Sequence, residues 1–235
     1  MVSASGNIVD KWSCMLTKHI YSISKMKIFV PAESIDKFAS YVTAAHELST
    51  DVTDIVDKNY ELIPVNAMDT MDTMDTMIEL IIKNKKFQIE IIQCYHSVPC
   101  VGYGFIEKRL KLKPEYIGLT GTEITALKSH GININIEIEI PVFCFLGDTD
   151  RRVLNDNNIY KYKTIMIECT FINETELEQA DKTYHMHWNY LKPVIEAHPT
   201  NTFILYHFSQ RYTKQEIDLF FSQVNLTNVT IWNSN

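Results

Sequence analysis

Four apolar stretches that each end in a polar residue constrain the fold of this chain more than any other feature. Residues 142–146 are apolar and are followed by Gly147, Asp148 and Thr149. Parallel strands buried on both faces are near-continuously apolar, and the ends of neighbouring strands converge in α/β folds. The other three stretches end in His96, Glu168 and His207. The sequence therefore predicts one polar site at the ends of several buried strands.

The bulk composition is that of a globular protein without a membrane anchor. A chain of 235 residues with 46% hydrophobic and 22% charged residues is long enough to bury a sizeable core. The net charge of −7 argues against broad non-specific binding of nucleic acid, although a local basic segment could still bind it. Five cysteines without a CxxC pair indicate a reducing compartment. The start of the chain lacks a signal peptide, and no apolar run approaches the roughly 20 residues that span a bilayer. These features predict a cytoplasmic location.

Hydrophobic periodicity predicts a mixed α/β chain. The strands are expected at 25–31, 60–65, 78–83, 87–95, 103–108, 132–140, 142–147, 164–169, 202–206 and 229–232, and the helices at 32–48, 122–130, 174–197 and 214–224. The alternation of strand and helix in the last third is typical of α/β proteins. Pro193 predicts a break or a kink in the long helical stretch near that residue. The Met-Asp-Thr repeat at 68–77 is interpreted as an exposed loop without a function.

The residues at the strand ends suit a metal site. Zinc takes imidazole and carboxylate ligands, and a catalytic zinc keeps one position open for water. His185 and His187 are two residues apart, so a loop or a helix entrance is more probable for them than one helix face. One basic segment could bind phosphates; it contains Lys108, Arg109, Lys111 and Lys113.

Six motifs in order resemble one family. They are YHSVPCVGY (95–103), EYIGLTGTEITALK (115–128), FLGDT (145–149), IECTF (167–171), YHMH (184–187) and HFSQRYT (207–213). Together they resemble a short-form, plant-type tRNase Z (ribonuclease Z) of the metallo-β-lactamase superfamily, over about residues 26–221. The resemblance implies a zinc-dependent endoribonuclease of tRNA 3′-end processing. It also implies an N-terminally truncated αββα sandwich in a single domain spanning residues 1–235, with an arm-like segment at about 107–140.

The same resemblance implies a role for each site residue. His96 and His207 are expected to bind zinc, and Asp148 is expected to bridge two zinc ions. Glu168 is expected to orient His185, which protonates the leaving 3′ oxygen, while zinc activates the attacking water. The basic segment falls where the family inserts an arm that contacts tRNA. The family also implies a homodimer, or pairing with a related chain, in which one subunit's arm holds tRNA for the other.

The family's upstream signature, His-x-His-x-Asp-His, is missing from this sequence. In the nearest register, Gly6, Ile8 and Lys11 replace the three histidines, and only Asp10 is kept. A first zinc would then keep only His96 and Asp148, and a second only Asp148, His207 and Asp10. Three protein ligands make an open zinc site, whereas two rarely hold the ion. The sequence therefore predicts a weak mononuclear zinc site or a metal-free polar cluster.

Three functions remain open from the sequence. The preferred one is a catalytically impaired relative of tRNase Z that retains binding of RNA, tRNA or precursor tRNA, or of a second subunit. An active tRNA 3′-processing endonuclease with a residual or partner-completed zinc site is the alternative. The third is a non-functional remnant, whose bare sheet edge would promote aggregation.

Overall fold

The computed structural model describes residues 26–48, 60–66, 78–82 and 85–233. Asp10, Lys11 and the repeat at 68–77 lie outside these residues. The strands are β1 Met26–Pro31, β2 Tyr60–Val65, β3 Ile78–Ile82, β4 Lys85–Gln93, β5 Val101–Leu112, β6 Asn135–Phe145, β7 Thr164–Glu168, β8 Thr202–Tyr206 and β9 Val229–Ile231. The helices are α1 Ile35–Glu47, α2 Gly121–Ser129, α3 Leu177–Thr183, α4 Trp188–Ala197 and α5 Lys214–Ser222. Short 3₁₀ turns include Arg151–Asn155 and Asn157–Lys161.

Two sheets organise the described part of the chain. Strands β1 and β2 pair in parallel, and β3 to β9 form a seven-stranded sheet in chain order. The pairs from β3 to β6 are antiparallel, which short connections permit, and those from β6 to β9 are parallel. The strands predicted at 78–83 and 87–95 form the antiparallel hairpin of β3 and β4, and the predicted α/β alternation of the last third is confirmed.

The two sheets pack face to face between two layers of helices. Phe29 and Val65 of the small sheet meet Ile89, Tyr103 and Phe105 of the large sheet in one apolar cluster. Helix α1 covers the outer face of the small sheet, as the cluster of β1, β2 and α1 side chains shows. Helices α4 and α5 contribute to the main core on the other face of the large sheet. This order of layers is the predicted αββα sandwich.

The parallel half of the large sheet positions the polar residues. Residues Phe145, Glu168 and Tyr206 end β6, β7 and β8, and the register places these ends side by side. Side chains that follow adjacent parallel strands therefore emerge at one edge of the sheet. His207 follows β8 directly, and Asp148 lies three residues after the end of β6.

One long strand replaces two predicted ones. Residues 132–140 and 142–147 were expected as separate strands, but β6 runs through Pro141. The register against β5 shifts between Phe105 and Ile106, which face Phe143 and Pro141, so Val142 is an extra residue. Because proline lacks an N–H for the ladder, a bulge beside it lets pairing continue.

The predicted break near Pro193 was wrong in position. The chain breaks between α3 and α4, where Tyr184 adopts the left-handed conformation (φ 57°, ψ 44°). Helix α4 instead continues through Pro193. Pro193 has no N–H, so the carbonyl of Asn189 lacks its helical hydrogen bond. Asn189 is an exposed residue in the first turn of α4. No helix among the described residues is long and apolar enough to cross a membrane.

Candidate metal centre

Five of the predicted site residues lie together at the edge of the large sheet. The ring of His185 lies 4.7 Å from that of His96 and 5.3 Å from that of His207, between centroids. The Nε2 atom of His207 lies 3.7 Å from Oδ1 of Asp148. The carboxylate of Glu168 contacts the ring of His185. The sixth predicted residue, Asp10, lies outside the described residues.

Glu168 is the buried anchor of this group. Its side chain is fully buried, and its carboxylate accepts hydrogen bonds from the backbone N–H groups of Thr149 (2.6 Å) and Met186 (3.1 Å). The Thr170 hydroxyl also donates to it, and Nδ1 of His185 lies 3.0 Å from both oxygens. A carboxylate offers about four lone-pair sites. Since four donors use them, Glu168 holds its neighbours in place and has little capacity left for a metal ion.

His185 is oriented by this carboxylate. Its Nδ1–H points at Glu168, so Nε2 is the free nitrogen. Burial opposes protonation of the ring, but the hydrogen bond and the negative charge of Glu168 outweigh burial and raise the pKa of His185. The imidazole is therefore held in one orientation and favours its charged form more than a free histidine does.

His207 is tied to the same carboxylate through Thr170. The Thr170 hydroxyl donates to Glu168, so it accepts the Nδ1–H of His207 at 2.9 Å. This assignment follows from the hydrogen-bond network, and it leaves Nε2 of His207 facing Asp148. The backbone of His207 has a positive φ of 63°, which is unusual for a non-glycine residue. The sequence reasoning missed Thr170, although a hydroxyl two residues after Glu168 lies on the same side of an extended chain.

His96 is fixed in a similar way. Its Nδ1 lies 3.0 Å from the carbonyl oxygen of Tyr184, to which it donates, and its Nε2 lies 3.5 Å from the hydroxyl oxygen of Ser97. Histidines that bind metal usually donate their other N–H to a carbonyl or a carboxylate. His96 and His207 both show this arrangement.

Of the predicted zinc ligands, two lie close enough together to share one ion. The donors are Nε2 of His96, Nε2 of His207 and the carboxylate of Asp148, whose pKa is raised by burial against the opposing charge of His207. Two ligands of one zinc ion lie within about 4.3 Å of each other, and the pair His207 and Asp148 meets this limit at 3.7 Å. Among the described residues, the group of three whose ligand-type atoms all lie within 4.8 Å of one another is instead Glu168, His185 and His207, which contains neither His96 nor Asp148. That second grouping is the poorer candidate because its carboxylate is already saturated.

His187 lies beside the site but has a structural role. Its Nδ1 accepts the N–H of Asn189 at 3.0 Å and so caps α4, and its Nε2 lies 2.8 Å from the carbonyl oxygen of Asn173. The prediction of a helix entrance for His185 and His187 is confirmed.

The basic segment is only partly free to bind phosphates. Lys108 lies 3.6 Å from Glu137 and 3.7 Å from Glu139, and Arg109 pairs with Glu107 at 2.6 Å. Among the described residues, Lys111 and Lys113 form no ion pair, so they retain their full charge for a ligand. RNA binding by this segment stays a prediction. Within the segment, Lys111 and Lys113 are the better candidates for contacts with phosphate.

Known proteins similar in sequence agree with the motif-based resemblance. The chain is 29% identical over 206 residues to tRNase Z TRZ1 of Arabidopsis thaliana, covering 86% of this chain and 68% of that protein. It is 27% identical to the chloroplastic tRNase Z TRZ2 of the same plant, covering 86% of this chain and only 54% of the relative. Ribonuclease Z of Borrelia hermsii is 26% identical over 67% of this chain and 53% of its own length. The chain thus spans between about half and two thirds of these relatives. No protein-family model matches it.

Solved structures confirm the fold. A metallo-β-lactamase fold protein, YhfI of Bacillus subtilis, superimposes with a TM-score of 0.54 at 12% identity, over 98% of this chain and 74% of that one. A long-form RNase Z from yeast gives a TM-score of 0.53 at 14% identity, over 94% of this chain and 29% of the yeast chain. The predicted metallo-β-lactamase-like fold and the resemblance to tRNase Z are both confirmed.

Proposed function

We propose, for a chain that resembles tRNase Z in sequence and has the metallo-β-lactamase fold, that it binds tRNA or precursor tRNA, holds a single metal ion, and is impaired in phosphodiester cleavage. One observation carries the proposal. Nδ1 of His96 and Nδ1 of His207 are both held by hydrogen bonds, and Nε2 of His207 lies 3.7 Å from the carboxylate of Asp148. Such a set supports one open metal site and leaves too few ligands for a second.

The chain's own residues retain part of the chemistry of hydrolysis. Glu168 holds Nδ1 of His185, so Nε2 of His185 can carry a proton toward the leaving 3′ oxygen. The raised pKa of His185 supports this role as a general acid, because more of the imidazolium form is present near neutral pH. A zinc ion held by His96, Asp148 and His207 would supply Lewis-acid chemistry.

The expected impairment follows from the ligands that the sequence replaces. Gly6 and Ile8 offer no ligand atom, and Lys11 would bring a positive charge where the family's signature has histidine. In two-metal sites the pair of ions stabilises both the attacking and the leaving oxygen. With one ion, only part of that stabilisation remains, so we expect binding to outlast catalysis.

Binding to tRNA provides the test of this proposal. We expect salt-sensitive binding of precursor tRNA in fluorescence anisotropy, with affinity falling between about 50 and 200 mM salt as phosphate contacts are screened. The double variant Lys111→Ser, Lys113→Ser should weaken binding several-fold. Lys108→Ser is the matched control, because Glu137 and Glu139 already neutralise Lys108. Absence of tRNA binding at the lower salt concentration would overturn the proposal.

An active processing enzyme is the second candidate, and the intact contact between Glu168 and His185 favours it. A partner chain, identical or related, would then complete the metal site. Cleavage of precursor tRNA with added Zn²⁺ or Mn²⁺, abolished by His207→Ala, would support this candidate over impaired catalysis. Sedimentation of the chain alone shows whether it dimerises, and complete lack of cleavage with any divalent metal would exclude this candidate for the chain as it stands.

A further inference from the structure

A second feature of the site edge, one that the proposed function does not use, is an arginine held between two tyrosine rings. The guanidinium carbon of Arg152 lies 4.7 Å from the ring centroid of Tyr95 and 5.5 Å from that of Tyr184. These three residues are called the Arg152 cluster below. They come from three separate segments, so tertiary packing rather than local sequence brings them together.

The Arg152 cluster adjoins the candidate metal centre directly. Tyr95 precedes His96, and Tyr184 precedes His185. The carbonyl oxygen of Tyr184 is the one that accepts the Nδ1–H of His96, at 3.0 Å. The N–H of Asp150 donates to the carbonyl of Tyr95 at 2.9 Å, which joins the segment of Asp148 to the same group. A ligand on this cluster would therefore sit next to the metal centre.

Asp150 fixes the orientation of the guanidinium. Its carboxylate, which is mostly buried, accepts from Nε of Arg152 at 2.8 and 3.0 Å and pairs with Nη2 at 2.7 Å. The same carboxylate caps the 3₁₀ turn by accepting the N–H of Arg152 at 2.9 Å. Arginine carries five N–H donors in a planar fork, and the contacts with Asp150 use Nε and Nη2, so Nη1 remains available for a further acceptor. The side chain is half exposed and pre-ordered, which lowers the entropy lost on binding.

Tyr184 occupies a backbone conformation that does not suit it. Its φ is positive, and among the described non-glycine residues only Tyr184 and His207 share this property. A left-handed backbone favours glycine, and strained residues of this kind concentrate at functional sites. Tyr184 is nevertheless 43% exposed, so a substantial part of this large residue is open to solvent. The position therefore keeps an accessible aromatic ring where glycine would fold with less strain.

An exposed ring beside a fixed guanidinium suits an unpaired nucleotide. Single-stranded nucleic acid binds to proteins by stacking bases on aromatic rings, and arginine adds a planar charged surface with directional donors. Because Asp150 offsets the charge of Arg152, stacking and hydrogen bonding should contribute more here than long-range attraction. We propose that the Arg152 cluster binds an unpaired nucleotide of RNA next to the metal centre, with its base on Tyr184 and its phosphate or base edge on Nη1 of Arg152. This inference rests on the proposed function, since it names the part of the RNA that the site takes.

The test compares a fluorescent single-stranded RNA of five nucleotides with a blunt RNA duplex, by anisotropy on the full chain. We expect Tyr184→Gly to weaken binding of the single strand about tenfold, because base stacking is worth roughly 5- to 150-fold per base. Its effect on the duplex should be under about twofold. Tyr184→Gly should also leave the thermal midpoint unchanged or raised, because glycine relieves the strain, whereas a purely structural tyrosine would lower the midpoint on removal. Tyr184→Phe should retain the affinity.

Arginine variants supply the matched comparison. Arg152→Met should weaken binding of the single strand several-fold. Arg211→Met is the control, because Arg211 also lies near an aromatic ring, that of Phe171 at 5.7 Å, and pairs with Glu176 at 3.3 Å. Unchanged single-strand affinity in both Tyr184→Gly and Arg152→Met would overturn the assignment of the cluster while leaving the proposed function standing. Failure of the unmodified chain to bind precursor tRNA or single-stranded RNA would overturn both.

Discussion

At the scale of single residues, the Thr170 hydroxyl connects the two halves of the site. It donates to Glu168 and accepts from His207, so one buried carboxylate orients both His185 and His207. Such contacts behind the ligands fix the tautomer and raise the basicity of a metal-binding histidine. The positions of the His185 and His207 imidazoles therefore depend on the charge and hydrogen bonding of Glu168.

Removing the charge of Glu168 should destabilise the fold. Glu168→Gln keeps the shape of the side chain. Its amide NH2 group, however, would face N–H and O–H groups that also donate hydrogen bonds. We expect a loss of about 2–4 kcal/mol of unfolding free energy, the usual cost of breaking a buried ion pair or a charged hydrogen-bond network. Urea unfolding measures it. Glu178→Gln, at an exposed position of α3, should change stability by less than about 0.5 kcal/mol. Equal small effects in both variants would contradict the role given to Glu168.

The pair of His185 and Glu168 should also make stability depend on pH. Because the folded pKa of His185 is raised, its stabilising contribution is fully present below the unfolded pKa of about 6.5. The contribution is lost as the pH rises through the folded pKa. In metal-free protein, the stability of the unmodified chain should therefore fall relative to His185→Gln between about pH 6 and pH 9. A difference that is constant over this range would show that the pKa of His185 is not raised.

At the scale of elements, the strands follow from local pattern, but the contacts between them do not. The apolar runs and the alternation of 132–140 predicted most strands because burial on one or two faces imposes those patterns. The partners of Lys108 were not predictable, because they depend on the register that places Glu139 directly opposite on β6. The break at Tyr184 was not predicted for a related reason. A proline marks a possible helix break in the sequence itself, whereas nothing in the sequence shows that a tyrosine adopts the left-handed conformation.

Strand β5 and the end of the 3₁₀ turn before β7 lie so close together at Gly104 that a side chain there would clash. A Cβ atom on Gly104 would lie 1.9 Å from the hydroxyl oxygen of Tyr162, which donates to Glu90 at 2.5 Å. Tyr162 is almost fully buried and has no room to move aside. We expect Gly104→Ala to cost about 1–3 kcal/mol, as overpacking usually does.

Chemical denaturation of two glycine variants checks this prediction. Gly121→Ala is the matched control, because nothing lies within 4 Å of its added Cβ, at the first position of α2. The control should be neutral or slightly stabilising, since alanine loses less backbone entropy on folding. In the double variant Gly104→Ala, Tyr162→Leu, the costs of the two changes should not add, because leucine leaves space for the new methyl group. Additive costs would mean that Tyr162 is not the obstacle.

At the scale of the whole molecule, the fold brings together residues that the sequence keeps far apart. His96 and His207 are separated by 111 positions (207 − 96), yet both flank the ring of His185. Convergence of strand ends made the shared site predictable. The roles of Thr170 and Arg152 were not, because a hydroxyl or a guanidinium acquires its partners only through packing. The main core takes buried side chains from five strands of the large sheet, β4 to β8, and from helices α4 and α5. We therefore expect the chain to unfold cooperatively rather than behave as an aggregating remnant.

The number of zinc ions bound per chain tests the single-metal site most directly. Purified chain is equilibrated with zinc, freed of excess metal and measured by elemental analysis. We expect about one ion per chain, lost in His207→Ala and in His96→Ala and retained in His130→Gln, an exposed histidine at the end of α2. Two ions per chain, or none in a chain that unfolds cooperatively, would contradict the single-metal site.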